Sequence, residues 1–152
     1  MTAIPHSDLG PLVGSWRLVS VEATFADTGE HVATFGPAPN GRMVLTAASR
    51  IMFLITKRDR QSPANDAARA TLFNETIAYS GAVRLRSPGK FVTKVEISLF
   101  PEEIGTERFR LFTLDGDRLT ITRPQQTSRA TQDRQALSHL VWVREPVSPP
   151  LA

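Results

Sequence analysis

Alternation of apolar and polar residues with a period of two runs through most of this chain, and that period belongs to half-buried strands rather than helices. The first and longest run, Trp16-Arg17-Leu18-Val19-Ser20-Val21-Glu22-Ala23-Thr24-Phe25, is stopped by the turn-forming Asp27-Thr28-Gly29. Shorter runs follow at residues 42–46, 51–56, 77–86, 91–100, 106–114, 118–123 and 138–144. Between them stand Ala47-Ala48-Ser49-Arg50, Ser87-Pro88-Gly89-Lys90 and Asp115-Gly116-Asp117, connections short enough that consecutive strands must pair as a meander. About eight such strands either stack as a sandwich or curl shut, and closure removes the exposed edges while leaving room for side chains or one small ligand. The pattern therefore predicts an all-β protein, a closed or nearly closed antiparallel meander barrel.

Two segments depart from this pattern. Residues 65–75 hold Ala67, Ala68, Ala70, Leu72 and Phe73 among good helix formers, with Asn65 or Asp66 placed to cap the start, and predict the one short helix. Residues 123–137 are polar and strandless through Gln125-Gln126-Thr127-Ser128 and read as a long loop able to gate one mouth of the barrel. The prolines near both ends imply tails over residues 1–8 and 146–152 around a single domain at residues 9–145. A chain of 152 residues is long enough for one real core.

Charge and composition narrow the partners. Eighteen Lys and Arg against fifteen Asp and Glu leave only +3, and the sole dense basic cluster, Lys57-Arg58-Asp59-Arg60, is interrupted by an acid and reads as a solvated turn, so nucleic acid is not an expected partner. No run approaches the ~20 apolar residues of a membrane span, and residues 1–9 lack a basic segment followed by an apolar one. A cytoplasmic location, as a monomer or homodimer, is expected. Without cysteine there is no thiolate nucleophile and no sulfur-ligated metal site. His6 in the tail, His31 in a turn and His139 in the last strand share no ligand spacing, and no phosphate-cradling glycine loop or Gly-x-Ser-x-Gly elbow occurs, so neither metal nor cofactor is expected.

Several segments together resemble the lipocalin-like domain family. They are Leu12-Val13-Gly14-Ser15-Trp16-Arg17-Leu18-Val19-Ser20, Phe35-Gly36-Pro37 with Gly41-Arg42, Phe73-Asn74, and Ile77-Ala78-Tyr79-Ser80-Gly81. Val95-Glu96-Ile97-Ser98-Leu99-Phe100-Pro101, Gly105-Thr106-Glu107, Leu114-Asp115-Gly116-Asp117-Arg118-Leu119-Thr120 and Leu140-Val141-Trp142 continue the likeness over nearly the whole folded region. The resemblance implies that Trp16 closes one end of the barrel with Arg144 over its ring, a cation–π contact worth about 0.5–2 kcal/mol. The chain departs from the family pattern at Thr93 and Lys94, where His is common, and at Glu102-Glu103, where Asn-Trp commonly follows the proline.

Candidate site residues follow from strand parity, since every second side chain faces the interior. If Trp16 points in, Leu18, Ser20 and Glu22 follow, and Glu22 is then either a cavity carboxylate or a solvated rim residue. Along 94–98 one face is polar (Lys94, Glu96, Ser98) and the other β-branched (Val95, Ile97). Either the first is a polar wall for a ligand, or the second is core. Tyr79, the only tyrosine, is a cavity residue or a core one, and Gly81 beside it would let a ligand near the backbone. Arg110, aligned with Arg108 and Phe112, could pair with Glu96. The expected lining or floor comprises Trp16, Leu18, Ser20, Met52, Leu54, Tyr79, Ser98, Arg110, Phe112, Leu119, Ile121 and Trp142. The first functional expectation is a carrier or sequestering protein for a small hydrophobic molecule. The alternative is a cofactor-free isomerase or cyclase of secondary metabolism, with Glu22, Tyr79, Lys94 or Glu96 polarising a carbonyl or moving a proton.

Overall fold

The structure, a computed structural model, describes residues 8–126, 131, 133–147 and 151. Nine strands form one antiparallel sheet: β1 (Gly14–Phe25), β2 (His31–Ala33), β3 (Asn40–Leu45), β4 (Arg50–Thr56), β5 (Ile77–Ser87), β6 (Lys90–Ser98), β7 (Glu107–Asp115), β8 (Arg118–Gln126) and β9 (Ala136–Arg144). Strands β3 to β9 pair in sequence order, and β1 pairs with both β3 and β9, so eight strands close a barrel while β2 adds to the edge of β1. The meander expected from the turns is thus present, closed by its two terminal strands. The described residues contain one α-helix, α1 (Asp66–Asn74), whose N-terminus is capped by Asn65 Oδ1 accepting from the Ala68 amide at 2.8 Å. No helix among them is long and apolar enough to cross a membrane.

Three differences from the sequence expectation have local causes. His31 lies in β2 rather than a turn, its Nδ1 2.9 Å from the Thr24 hydroxyl across the pair. The segment after Arg123 stays in the sheet through Gln126, and β9 starts at Ala136, so the connection between these strands is shorter than the expected loop of residues 123–137. Thr127 and Ser128 lie outside the described residues, as do most of the two expected tails. The charged cluster 57–60 is not merely a solvated turn. Lys57 pairs with Glu75 at 2.8 Å, Arg58 donates to the Ala38 carbonyl at 2.9 Å, and Arg60 donates to the Leu72 carbonyl at 3.2 Å. These contacts tie α1 and the Gly/Pro-rich loop to the rim of the barrel.

One end of the barrel is plugged. A short 3-10 turn, Gly10–Leu12, folds under it, and the Trp16 indole donates to the Leu12 carbonyl at 2.9 Å. The Arg144 guanidinium sits 4.3 Å from the Trp16 ring centroid and donates to the carbonyls of Val13 and Pro11 and to Asp117, the contact implied by the family resemblance. Trp16, Trp142, Phe91, Phe112, Met43 and Leu119 are almost completely buried there. Cross-strand register carries this packing upward: Trp16 faces Met43, Met43 faces Phe53, and Phe53 faces Tyr79.

Candidate functional site

Above the plug the barrel is hollow. A cavity of about 680 Å³ opens at the opposite end, among the C-terminus of α1 at Asn74, the Thr34-Phe35 loop, Glu103, and Gln126 and Asp133 at the turn between β8 and β9. Its wall has two unlike sides. Phe35, Phe53, Ile55, Ile77, Val21 and Leu140 make an apolar surface from the loop and from β4, β5, β1 and β9, whereas β7 and β8 contribute three arginines, Arg108, Arg110 and Arg123.

The arginines reach the interior because of parity. In β7 the inward positions are 108, 110 and 112, and in β8 they are 119, 121 and 123; the register Phe112 to Ile121 brings the two series side by side. Arg110 is 8% exposed, buried in the barrel wall with one guanidinium nitrogen donating to its own strand at Phe109 O, 2.7 Å away. Burial pushes its pKa down, the Arg108 charge pushes the same way, and a hydrogen bond and attraction from Tyr79, with weaker help from Glu103, oppose this. Burial likewise lowers Arg123 to about 10, reinforced by the like charges of Arg110 and Arg108. Arg108 pairs with Glu103 at 2.5 Å and lies 5.3 Å from the Tyr79 ring centroid. The Ser98 hydroxyl, donating to Glu103 at 2.7 Å, fixes that carboxylate at the rim. Three guanidinium groups thus converge on one side of the cavity, faced by Glu103, already held by Arg108, and by the exposed Asp133.

Of the residues expected from the sequence, Tyr79 and Arg110 line the cavity, together with Ile121. Trp16, Leu18, Phe112, Leu119 and Trp142 are inward but belong to the packed plug. The others need correction, and two bulges explain most of it. Val19 is an extra residue between the pairs Leu18–Trp142 and Ser20–Val141, which reverses the parity of β1. Val21 and Ala23 therefore turn inward, Ser20 is only half-buried, and Glu22 projects into solvent. In β6 the extra residue is Glu96, between the pairs Ser80–Ile97 and Gly81–Val95. Neither expected face of that strand survives intact: Val95 is core, Ile97 is 69% exposed, and Lys94 and Glu96 point outward. Glu96 bonds Arg50 on the outer surface, so it is not the partner of Arg110. Ser98 is a support for Glu103 rather than wall. Met52 and Leu54, 58% and 54% exposed, lie outside; Ile51, Phe53 and Ile55 are the inward set of β4. That strand is apolar on both faces, which hides its parity. Gly81 admits the neighbouring strand rather than a ligand, since a Cβ there would sit 1.9 Å from the Lys94 carbonyl oxygen.

Three of the four expected acid–base candidates, Glu22, Lys94 and Glu96, are thereby removed from the cavity. Sequence reasoning missed Arg108, Arg123 and Glu103 as wall residues. The signal was present: Leu119, Ile121 and Arg123 alternate in step, as do Arg108, Arg110 and Phe112. Among the described residues no cluster of His, Asp and Glu could hold a metal ion.

The architecture is that of an up-and-down β-barrel, plugged at one end and hollow at the other. The model of the lipocalin-like domain matches residues 13–145, and the chain belongs to that family. No curated protein matches the sequence.

Proposed function

We propose that this barrel binds one small amphipathic molecule in its cavity, as a carrier or sequestering protein. The observation that carries the reading is the void itself: about 680 Å³ left open above a tightly packed plug, within the range of small-molecule pockets. Side chains fill the other half of the same barrel to near-complete burial, so the hollow is confined to one end. Its apolar side suits a hydrocarbon or ring body, and the arginine side offers polar groups for the head of a largely hydrophobic guest. The isomerase or cyclase alternative keeps Tyr79 but loses the other groups assigned to it.

Titration with methyl 1-pyrenebutyrate, an uncharged apolar fluorophore, tests the reading. Saturable uptake at one site per chain is expected, and it should weaken in Ser138→Phe, which projects a ring into the cavity from a buried wall position. Absence of saturable uptake by the folded wild-type protein would overturn it. Mass analysis of candidate polyketide or terpenoid precursors after incubation distinguishes carriage from conversion.

A further inference from the structure

Resting on the cavity reading above, we propose that the guest is an anion, a carboxylate or similar oxyanion attached to an apolar body, seated on Arg110 and Arg123 with the body against Phe53 and Ile55. A buried guanidinium is costly unless its charge is matched and its donors are used. Arg110 is more than nine-tenths buried, and its guanidinium donates to Phe109 O and bonds the Tyr79 hydroxyl, neither of them a carboxylate. Glu103, the buried-side carboxylate of the wall, pairs with Arg108 and is held there by Ser98. Arg123 comes from the adjacent strand, and the charges of Arg110 and Arg108 are felt at its guanidinium as repulsion.

Such like-charged clustering is an unfavourable way to fill a barrel wall, and an oxyanion between the groups relieves it. Planar guanidinium forks match a carboxylate in two parallel hydrogen bonds, which a point charge such as Lys does not. The Tyr79 hydroxyl, adjacent to Arg110, adds a donor suited to the same oxygen atoms. Because the cations sit on β7 and β8 and the apolar wall on β4 and β5, a guest is oriented with its head to one side of the barrel rather than simply dissolved in it.

The test compares 1-pyrenebutyrate with its methyl ester, which share an apolar body and differ in charge, by fluorescence titration at neutral pH. The wild-type protein should take the acid about tenfold or more tightly than the ester. In Arg110→Met that ratio should fall toward one, and in Arg110→Lys it should be only partly retained. Arg84→Gln, which breaks an exposed pair with Glu107 on the outer surface, should keep the wild-type ratio. Arg123→Gln supplies an independent reduction should the Arg110 variants fail to fold. Equal affinity of the wild-type protein for acid and ester overturns the anion inference while leaving the cavity reading intact. Failure to take up either probe overturns both.

Discussion

The backbone of β6 approaches Gly81 closely, and this makes a sharp prediction for Gly81→Ala. A Cβ built there meets the Lys94 carbonyl oxygen at 1.9 Å, the Lys94 carbonyl carbon at 2.8 Å and the Val95 Cα at 3.1 Å. Ordinary C···O approaches between strands are about 3.3–3.6 Å, so β5 and β6 would have to part by more than about 1 Å against a normal strand spacing near 4.8 Å. All three obstructing atoms are backbone, and no side-chain rotation can clear them. Separation weakens the ladder around the Gly81–Val95 and Ala82–Lys94 pairs. Two or three strained bonds at about 1 kcal/mol each give a loss of about 2–3 kcal/mol, opposite in sign to the few tenths gained where a strand tolerates the change. For a domain of this size that lowers the melting temperature by about 4–12 °C. Circular dichroism melts and urea titrations of the two proteins measure it, and a variant within about 0.5 kcal/mol of wild type would refute the claim that this backbone contact requires glycine.

Three further outcomes follow from the same geometry. Arg144→Ala removes a cation–π contact with Trp16 and donors to the Val13 and Pro11 carbonyls, and should cost about 2 kcal/mol in a urea titration; an unchanged midpoint would contradict the role assigned to the plug. The Thr93 hydroxyl is buried without a partner among the described residues, so Thr93→Val should be neutral or stabilising by up to about 1 kcal/mol, and a clear loss in thermal unfolding would show that the hydroxyl is satisfied in solution. Arg123, lowered to about 10 by burial and by the charges of Arg110 and Arg108, against opposing contributions from Tyr79 and Glu103, still carries its charge throughout the neutral range. Affinity for 1-pyrenebutyrate should therefore be level from pH 7 to about 8.5, and a fall within that window would refute the reading that a charged Arg123 holds the anion.

Closure, strand order and the helix were legible because each rests on local signals: period-two runs, turn residues between them, and an Asn ahead of an alanine-rich segment. The floor was legible for a related reason, since Trp16 and Arg144 have recognisable chemistry at the two terminal strands. What failed was the direction of individual side chains. A bulge inserts one residue without any compositional mark, so Val19 and Glu96 each reversed a parity that was sound up to that point. Glu22, Ile97 and Ser98 were misplaced by this alone. Met52 and Leu54 were misplaced for another reason: five consecutive apolar residues at 51–55 offer two equally apolar faces, and only the pairing of Phe53 with Met43 and Tyr79 selects one. β7 and β8 keep simple alternation over the residues in question, and there the arginines could have been found.

The division of the barrel into a filled half and a hollow half also bears on where function and stability reside. At the plug, most inward positions carry a large apolar or aromatic side chain, and burial there supplies much of the free energy that holds the sheet closed. At the hollow end, positions of the same strands carry Arg108, Arg110 and Arg123, residues that contribute little apolar burial and repel one another. An apolar residue of similar volume at position 110 would fit the wall at no electrostatic cost. A fold needing only to stay closed gains from a guanidinium there no more than its hydrogen bonds to Phe109 and Tyr79, so the charge is best understood through what enters the cavity. Arg110→Met should accordingly leave stability unchanged or raise it in urea unfolding without added ligand, while weakening selection for the anionic probe. A variant that loses both stability and selectivity would instead make Arg110 part of the scaffold.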